Sequence, residues 1–302
     1  MSNPYAAFLP AGTVVEPPTT TWWSWRGRQV HVARRPRPEA PVRLLGVHGA
    51  GGHVGALWPH AALAGDGAEV LFCDLPLYGR TVEPDPAGVR YDDWVALLCD
   101  LVRHEKERDA RPLVLLGASM GGMLAYEAAA RTGLVDHVVA TCLLDPADPA
   151  ARAAASRWGP LGRHAPALLA GATGRSPLGR VRVPVTWVAD LEAMSLDPAL
   201  SRLCATDLLG GGTRVPLGFL ASWFRATGTP PETFDACPVT LAHPAADTWT
   251  PPALSERFLA RIARVPTRTV LLEGCGHFPV EQPGLDTLVR TVREVVRGCA
   301  SA

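Results

Sequence analysis

The chain has 302 residues, of which 47% are apolar and 19% charged, a composition that excludes a disordered or fibrous protein and allows a substantial core. Its 29 basic residues balance its 29 acidic residues, so no overall field favours nucleic acid, an anionic membrane or a strongly charged substrate. We therefore expect no nucleic-acid partner, but a small molecule that is neutral and partly apolar.

The first predicted elements lie in residues 21–35, where alternating side chains indicate two strands joined by a tight turn, typical of an antiparallel sheet edge. Residues 42–47 form a short apolar run that stops at the glycine-rich segment 48–52, as a buried strand followed by a loop would. A helix-length segment around residues 58–63 leads to a second apolar run, 69–73. Together they predict a strand, a helix and a strand.

The alternation of strand and helix continues along the chain. Residues 91–107 carry apolar side chains at the spacing of one helical face. The buried run 112–116 and a helix of small residues, 123–131, follow, and residues 135–144 form the next buried run. Continuous apolar runs separated by helices indicate a mainly parallel sheet with helices on both faces.

This rhythm is lost in residues 147–236, which are rich in Ala, Gly, Arg and Pro and are interpreted as a mostly helical insertion. Two strands and two helices then complete the chain: 239–242, 252–262, 269–272 and 284–297. The predicted fold is therefore α/β with eight strands. Its core comprises residues 1–146 and 237–302, and the insertion follows the sixth strand.

Other features of the sequence limit where the protein works and what it binds. No apolar run approaches the roughly 18 to 20 residues that span a bilayer, and residues 1–15 have neither a basic start nor a continuous apolar segment. The seven cysteines are odd in number, and three lie in apolar runs. We expect a cytoplasmic protein without a membrane span. Because CxxC, HxH and HExxH spacings are missing, we also expect no metal and no cofactor.

The pattern Gly-x-Ser-x-Gly at residues 117–121 falls between a predicted buried strand and a predicted helix, which is the setting of a nucleophile elbow. Small residues there allow the strand and the helix to approach closely. The elbow would present Ser119 at a helix N-terminus, where the local dipole favours developing negative charge. Ser119 is therefore the candidate nucleophile. The alternative is a glycine-rich turn in which the serine is only a cap.

A serine hydroxyl is a weak nucleophile and needs a base. His277 lies in a glycine loop after the last predicted strand and is the candidate base. Asp247 follows the strand 239–242 and gives the chain order Ser, Asp, His. Its carboxylate would set the tautomer of the imidazole and stabilise the imidazolium. Asp145, directly after the preceding strand, is the alternative acid.

Acyl transfer also needs donors for the oxyanion. The predicted donors are the N–H groups of Met120, which follows the nucleophile, and Ala50, with Gly51 as the alternative to Ala50. His53 is placed either at the site or in the packing of its loop. Apolar residues of the insertion suggest an acyl or aromatic pocket, although aromatic residues in a helical insertion more often form its own core. They are Trp158, Trp187, Met194, Phe219, Trp223 and Phe224.

These motifs resemble those of the α/β-hydrolase superfamily, specifically its lysophospholipase and monoacylglycerol-lipase-like or small-esterase branch with a cap. The resemblance rests on five segments: residues 48–52, 74–80 and 117–122, the Asp247 region and Gly276-His277. It implies hydrolysis of carboxylic esters or related acyl bonds through an acyl-enzyme, without metal or organic cofactor. Ala118 departs from the histidine or larger residue of many relatives, which leaves the pocket contacts undefined.

The same fold supports other functions, and the motifs do not separate them. Within enzymes, the alternatives are a C–C bond or amide hydrolase, a lactonase, and a lyase that uses the same three residues. A binding protein that retains the pocket without turnover is the alternative outside enzymes.

Overall fold

The computed structural model describes residues 3–174 and 176–301 of the chain. Within these residues the strands are β1 (Thr19–Trp25), β2 (Arg28–Arg35), β3 (Arg43–Val47), β4 (Glu69–Cys73), β5 (Leu113–Gly117), β6 (His137–Ala140), β7 (Arg182–Pro184), β8 (Arg214–Pro216), β9 (Val239–Pro244) and β10 (Thr267–Leu272). The α-helices are α1 (Val54–Ala64), α2 (Tyr91–Arg108), α3 (Met120–Thr132), α4 (Pro149–Ala155), α5 (Ala165–Leu168), α6 (Pro198–Thr206), α7 (Leu217–Phe224), α8 (Pro252–Leu259) and α9 (Gly284–Ala300).

Eight strands form the main sheet in the order β1-β2-β4-β3-β5-β6-β9-β10. β2 pairs antiparallel with β1 and β4, and the remaining pairs are parallel. The predicted α/β class, the antiparallel edge and the eight-stranded, mainly parallel sheet are confirmed. β3 lies between β4 and β5. The connection from β3 to β4 therefore runs towards one edge of the sheet, and the connection from β4 to β5 runs back past β3 towards the other edge. Loops leaving the carboxyl ends of β3 and β5 therefore border a crevice, the usual ligand position in such sheets.

Burial explains why the central strands read as continuous apolar runs. Every residue of β3, β4 and β5 is buried, whereas most of β10, at the sheet edge, is exposed. Helices cover both faces. α2 buries the predicted stripe that includes Trp94, Leu97 and Leu101 against one face, and α1 and α9 pack on the other around Trp58 and Val292.

β6 is shorter than the apolar run that predicted it. The run 135–144 is largely buried, but only His137–Ala140 forms a strand. Beyond it the backbone takes other partners, since Leu143 N–H donates to Ser255 Oγ at 2.9 Å. The chain thereby leaves the sheet at the edge where the crevice opens.

The insertion lies between β6 and β9, as predicted, and contains the helices α4, α5, α6 and α7 with short 3-10 turns between them. It also contains an antiparallel pair, β7 and β8, that was not predicted. Asp207, just after α6, fastens the insertion to the core. Its Oδ2 accepts hydrogen bonds from Tyr5 Oη and His53 Nε2, both at 2.8 Å. The insertion is thus held against the loop that follows β3.

Candidate active site

Ser119 occupies the sharp turn between β5 and α3. Its φ of +54° and ψ of −126° lie in a region that non-glycine residues rarely adopt, at a cost on the order of 1–3 kcal/mol. The surrounding structure maintains the turn, because Ser119 N–H donates to Thr141 Oγ1 at 3.0 Å and Ala118 N–H donates to the Val47 carbonyl at 2.9 Å. The result is a hydroxyl presented at the start of a helix.

Two glycines let α3 begin against the sheet. A Cβ on Gly121 would lie 2.2 Å from the Val47 carbonyl oxygen, and one on Gly122 would lie 2.1 Å from the Cys142 carbonyl oxygen. Backbone atoms cannot move aside cheaply, so any side chain at these positions would displace the helix from the strands. The close approach sets the position of Ser119.

The structure brings Ser119, His277 and Asp247 together. His277 Nε2 lies 2.8 Å from Ser119 Oγ, and His277 Nδ1 lies 2.7 Å from Asp247 Oδ2. An ionised carboxylate accepts only, so in the neutral imidazole the proton resides on Nδ1 and Nε2 accepts from the serine hydroxyl. This arrangement can remove a proton from the serine and return it to another atom.

Asp247 is buried and held by several donors. The N–H groups of Trp249 and Thr250 both lie 2.9 Å from its Oδ1. Burial alone would raise the pKa of Asp247, but His277 and the hydrogen bonds from Thr250 outweigh it, so the pKa lies below its usual value. Asp247 is therefore ionised at neutral pH. Asp145, the alternative acid, instead accepts from Ala147 N–H at 2.8 Å, in a turn before α4.

His48 shapes the loop that follows β3. Its Nε2 accepts from Leu75 N–H at 2.9 Å, so Nδ1 carries the proton and donates to the Gly49 carbonyl at 2.8 Å. Burial lowers the pKa of His48 to about 4, which keeps this tautomer neutral. Because the carbonyl and the following N–H of a trans peptide point in opposite directions, this bond also orients Ala50 N–H. Sequence reasoning assigned His48 no such role.

The two predicted oxyanion donors lie beside the nucleophile. Met120 is the first residue of α3, so its N–H has no acceptor within the helix. A Cβ on Gly49 would lie only 2.9 Å from Met120 N and 3.1 Å from Ser119 Cβ, which places the β3 loop directly against the elbow. Ala50 and Met120 border one cavity together with Ser119.

Two cavities meet at Ser119 and Ala50. The insertion cavity has walls mainly from the insertion. The α1 cavity extends towards α1 and α9. Apolar side chains dominate both. Prominent in the insertion cavity are Val185, Val188, Phe219, Leu220, Trp223 and Phe224, and in the α1 cavity Ala56, Leu57, Ala61, Phe72, Leu116 and Phe278.

The predicted pocket residues separate into two groups. Trp223 borders the insertion cavity and Met194 the α1 cavity. His53, Trp158 and Trp187 border neither. The two tryptophans are 37% and 64% exposed, so the prediction that they line the pocket has no support in the structure. His53 instead caps α1 and pairs with Asp207.

Other features of the described residues bear on the remaining expectations. Across 3–174 and 176–301, no three histidine, cysteine or acidic side chains are grouped so as to hold a metal ion. No helix in the same ranges combines the length and apolar character needed to cross a membrane. All seven cysteines are free thiols, and six of them are buried.

Comparison with known proteins places this geometry in a family. Many solved structures share the fold, among them the following three. A soluble variant of monoglyceride lipase from Saccharomyces cerevisiae, in complex with a substrate analogue, has a TM-score of 0.73 and 19% identity and covers 96% of this chain and 97% of that one. A monoacylglycerol lipase from Paleococcus ferrophilus has a TM-score of 0.65 and 21% identity, covering 90% and 98%. The carboxylesterase CesB from Bacillus subtilis has a TM-score of 0.62 and 16% identity, covering 97% and 95%.

At the level of sequence, no curated protein matches significantly. A family model described as "Alpha/beta hydrolase family" matches residues 44–288, which include both the elbow and the His277 loop. The chain therefore belongs to the alpha/beta hydrolase family.

Proposed function

We propose that this protein is a serine hydrolase that cleaves carboxylic esters through an acyl-enzyme. The observation that carries the proposal is the continuous path of two hydrogen bonds from Ser119 Oγ through His277 to Asp247, 2.8 Å and 2.7 Å long. A nucleophile, a base and an acid that orients the base are the parts that acyl transfer requires.

In the first half-reaction, Ser119 Oγ attacks the ester carbonyl carbon while its proton passes to His277 Nε2. The carbonyl oxygen becomes an oxyanion and accepts hydrogen bonds from the N–H groups of Met120 and Ala50. Collapse of this intermediate re-forms the carbonyl and breaks the bond to the leaving oxygen. That oxygen takes the proton from His277, so a neutral alcohol leaves and the acyl group stays on Ser119.

In the second half-reaction, a water molecule repeats the attack. His277 takes a proton from the water as the water oxygen bonds to the acyl carbon, and then returns the proton to Ser119 Oγ as the ester bond to the enzyme breaks. The products are the carboxylic acid and the free serine. Asp247 remains ionised throughout and stabilises the imidazolium formed in each half-reaction.

We further propose that residues 147–236 act as a cap over a core made of residues 1–146 and 237–302. Side chains from the insertion form much of one wall of the cavity at Ser119, and the Asp207 contacts hold the insertion in place. A cap of this kind excludes water from the oxyanion and strengthens the electrostatic interactions there. The apolar walls favour a neutral acyl group.

A panel of p-nitrophenyl esters of graded acyl length tests the function. We expect turnover by the wild type, and a loss of at least about 10³-fold in kcat for Ser119→Ala. Ser24→Ala, at an exposed serine of β1, is the matched control and should retain full activity. A fluorophosphonate should label the wild type at Ser119. Absence of both turnover and labelling would instead favour a binding protein, and turnover only on C–C, lactone or lyase substrates would replace the ester assignment.

A further inference from the structure

His60 is a buried polar side chain that the proposed mechanism does not use. It lies in α1 and is 7% exposed. Neither ring nitrogen has a partner with hydrogen-bond geometry among residues 3–174 and 176–301. Its ring instead packs against Phe278, with the ring centroids 5.0 Å apart. A buried polar group without a partner costs about 1–3 kcal/mol, so its presence calls for an explanation.

The His60 imidazole is neutral at the pH of the cell. Burial lowers its pKa to about 4, against a smaller opposing effect of the Ala56 carbonyl one helical turn earlier. A neutral imidazole offers one N–H donor and one nitrogen acceptor. The side chain can therefore pair with a hydroxyl, a carbonyl or an ether oxygen, but it does not require a charged partner.

His60 borders the α1 cavity, which also contains Ser119. Three small side chains border this space: Ala56 and Ala61 in α1, and Ala118 before the nucleophile. Ser119, His277, Thr141 and Cys204 also border this cavity, and most of the remaining wall is apolar and includes Phe72 and Leu116. Away from the catalytic residues, a ligand in this cavity would therefore meet a mainly apolar surface in which both ring nitrogens of His60 are without a partner among the described residues.

The residues that border each cavity indicate which part of an ester enters it. His277 borders the α1 cavity and not the insertion cavity, whereas Met120 borders only the insertion cavity. The leaving oxygen must lie near His277 Nε2 to receive its proton. The leaving alcohol therefore extends into the α1 cavity, and the acyl group into the insertion cavity.

We propose that the α1 cavity is the leaving-group site, and that His60 selects alcohols with an apolar body and one further hydrogen-bonding atom. This inference rests on the proposed ester hydrolysis. The substrate class is then an ester of an apolar acid with such an alcohol. A simple alkyl alcohol would leave the imidazole unpaired in the complex, and sites built around a hydrogen bond reject ligands that cannot make it.

The test uses hexanoate esters in matched pairs. The 2-hydroxyethyl, 3-hydroxypropyl and 4-hydroxybutyl esters are compared with the propyl, butyl and pentyl esters, which replace the hydroxyl by a methyl group. Acid release is followed with a pH indicator. We expect the wild type to prefer one hydroxyalkyl ester over its partner by about tenfold in kcat/KM, the value of one buried hydrogen bond.

Two variants separate recognition from packing. His60→Phe should abolish the preference, so that each hydroxyalkyl ester and its alkyl partner have the same kcat/KM within this variant, and it should raise Tm because it removes an unpaired polar group. His60→Gln, which retains a donor and an acceptor, should keep part of the preference. No preference in the wild type at any length, or an unchanged preference in His60→Phe, would overturn the proposal.

A binding measurement keeps this proposal distinguishable from the proposed function. In Ser119→Ala protein, 1,3-propanediol or 1,4-butanediol should raise Tm more than 1-butanol or 1-pentanol, and adding His60→Phe should remove the difference. If the wild type hydrolyses no ester, the proposed function fails, but this difference would still support the site. Equal shifts for diols and alkanols would reject the site even in an active esterase.

Discussion

Thr250 donates its hydroxyl to Asp247 Oδ2 at 2.8 Å, the same carboxylate oxygen that lies 2.7 Å from His277 Nδ1. Thr250 Oγ1 is also 3.1 Å from that ring nitrogen. The hydroxyl therefore contacts both partners of the acid–base pair. Only two residues lie between Asp247 and Thr250, so one short loop supplies the carboxylate and a group that fixes its direction.

Replacing Thr250 by valine keeps the shape of the side chain and removes this donor. We expect kcat to fall about three- to tenfold, because the loss of one hydrogen bond to a charged group weakens both the orientation and the ionisation of Asp247. The measurement is ester turnover at pH 7. Thr206→Val is the control, since its hydroxyl bonds only to backbone carbonyls of its own helix. Equal losses in both variants would remove the special role of Thr250.

The identity of the acid is tested by two isosteric substitutions. Asp247→Asn should lower kcat by about 10³- to 10⁴-fold, because an amide cannot hold the productive tautomer of His277. Asp145→Asn should leave turnover within about twofold of the wild type, because its carboxylate contacts a backbone N–H in another turn. The opposite pattern would transfer the role to Asp145.

His48 is expected to affect catalysis indirectly, through its hydrogen bond to the carbonyl of the Gly49–Ala50 peptide. His48→Phe keeps an aromatic ring but removes the bond to the Gly49 carbonyl. That carbonyl then keeps only the hydrogen bond from Gly52 N–H at 3.1 Å, so the direction of Ala50 N–H is held less firmly. We expect kcat to fall about 10- to 100-fold with little change in KM, somewhat less than the loss of an oxyanion donor itself. Thermal unfolding of the same variant is the check. A fall in kcat that tracks unfolding, with KM rising in parallel, would assign His48 a purely structural role.

Much of the fold could be predicted because strands that are buried on both faces of the sheet appear in the sequence as continuous apolar runs. β3, β4 and β5 are buried at every residue and were each recognised as an apolar run. The positions of Ser119 and His277 could be inferred for a related reason. Ser119 follows the buried run of β5, whereas His277 follows β10, a short apolar run that is mostly exposed at the sheet edge. Both residues lie at glycine turns, and parallel strands bring their carboxyl ends to one edge of the sheet.

What could not be predicted depends on contacts between distant parts of the chain. The partner of His48 is Leu75, 27 residues away, and β6 ends early because Ser255, from α8, takes the Leu143 N–H. Neither hydrogen bond is indicated by a short sequence motif, because its two partners lie far apart along the chain. In the insertion, Trp187 and Trp223 have the same composition signal, yet one is exposed and the other borders a cavity.

The Asp207 contacts make a prediction about pH. Hydrogen bonds from His53, and to a lesser degree Leu209 N–H and Tyr5, lower the pKa of Asp207 to about 2 against the effect of burial. Asp207→Asn should reduce the free energy of unfolding at pH 7 by about 1–2 kcal/mol, a value discounted for partial exposure.

The sign of the pH effect follows from the lowered pKa. The contribution of Asp207 is complete above its unfolded pKa of about 3.9 and is lost as the pH falls to about 2. The difference in stability between wild type and Asp207→Asn should therefore shrink over this range, as measured by urea denaturation at several pH values. A constant difference from pH 7 to pH 2 would show that the charge of Asp207 is not what fastens the insertion.

The close approach of α3 to the sheet can be tested with two glycine-to-alanine substitutions in helices. A Cβ at Gly121 would lie 2.2 Å from the Val47 carbonyl oxygen, whereas one at Gly298, in α9, would meet nothing within 4 Å. Gly298→Ala should therefore stabilise the protein by up to about 1 kcal/mol through helix propensity. Gly121→Ala should destabilise it by about 2–4 kcal/mol, in the range of other forced overpacking.

Because the helix displaced in Gly121→Ala carries Met120 N–H and positions Ser119, kcat should fall as well, even at temperatures where the variant remains folded. A Gly121→Ala protein with wild-type Tm and kcat would mean that the elbow tolerates a side chain, and that the tight packing of α3 on β3 does not set the position of the nucleophile.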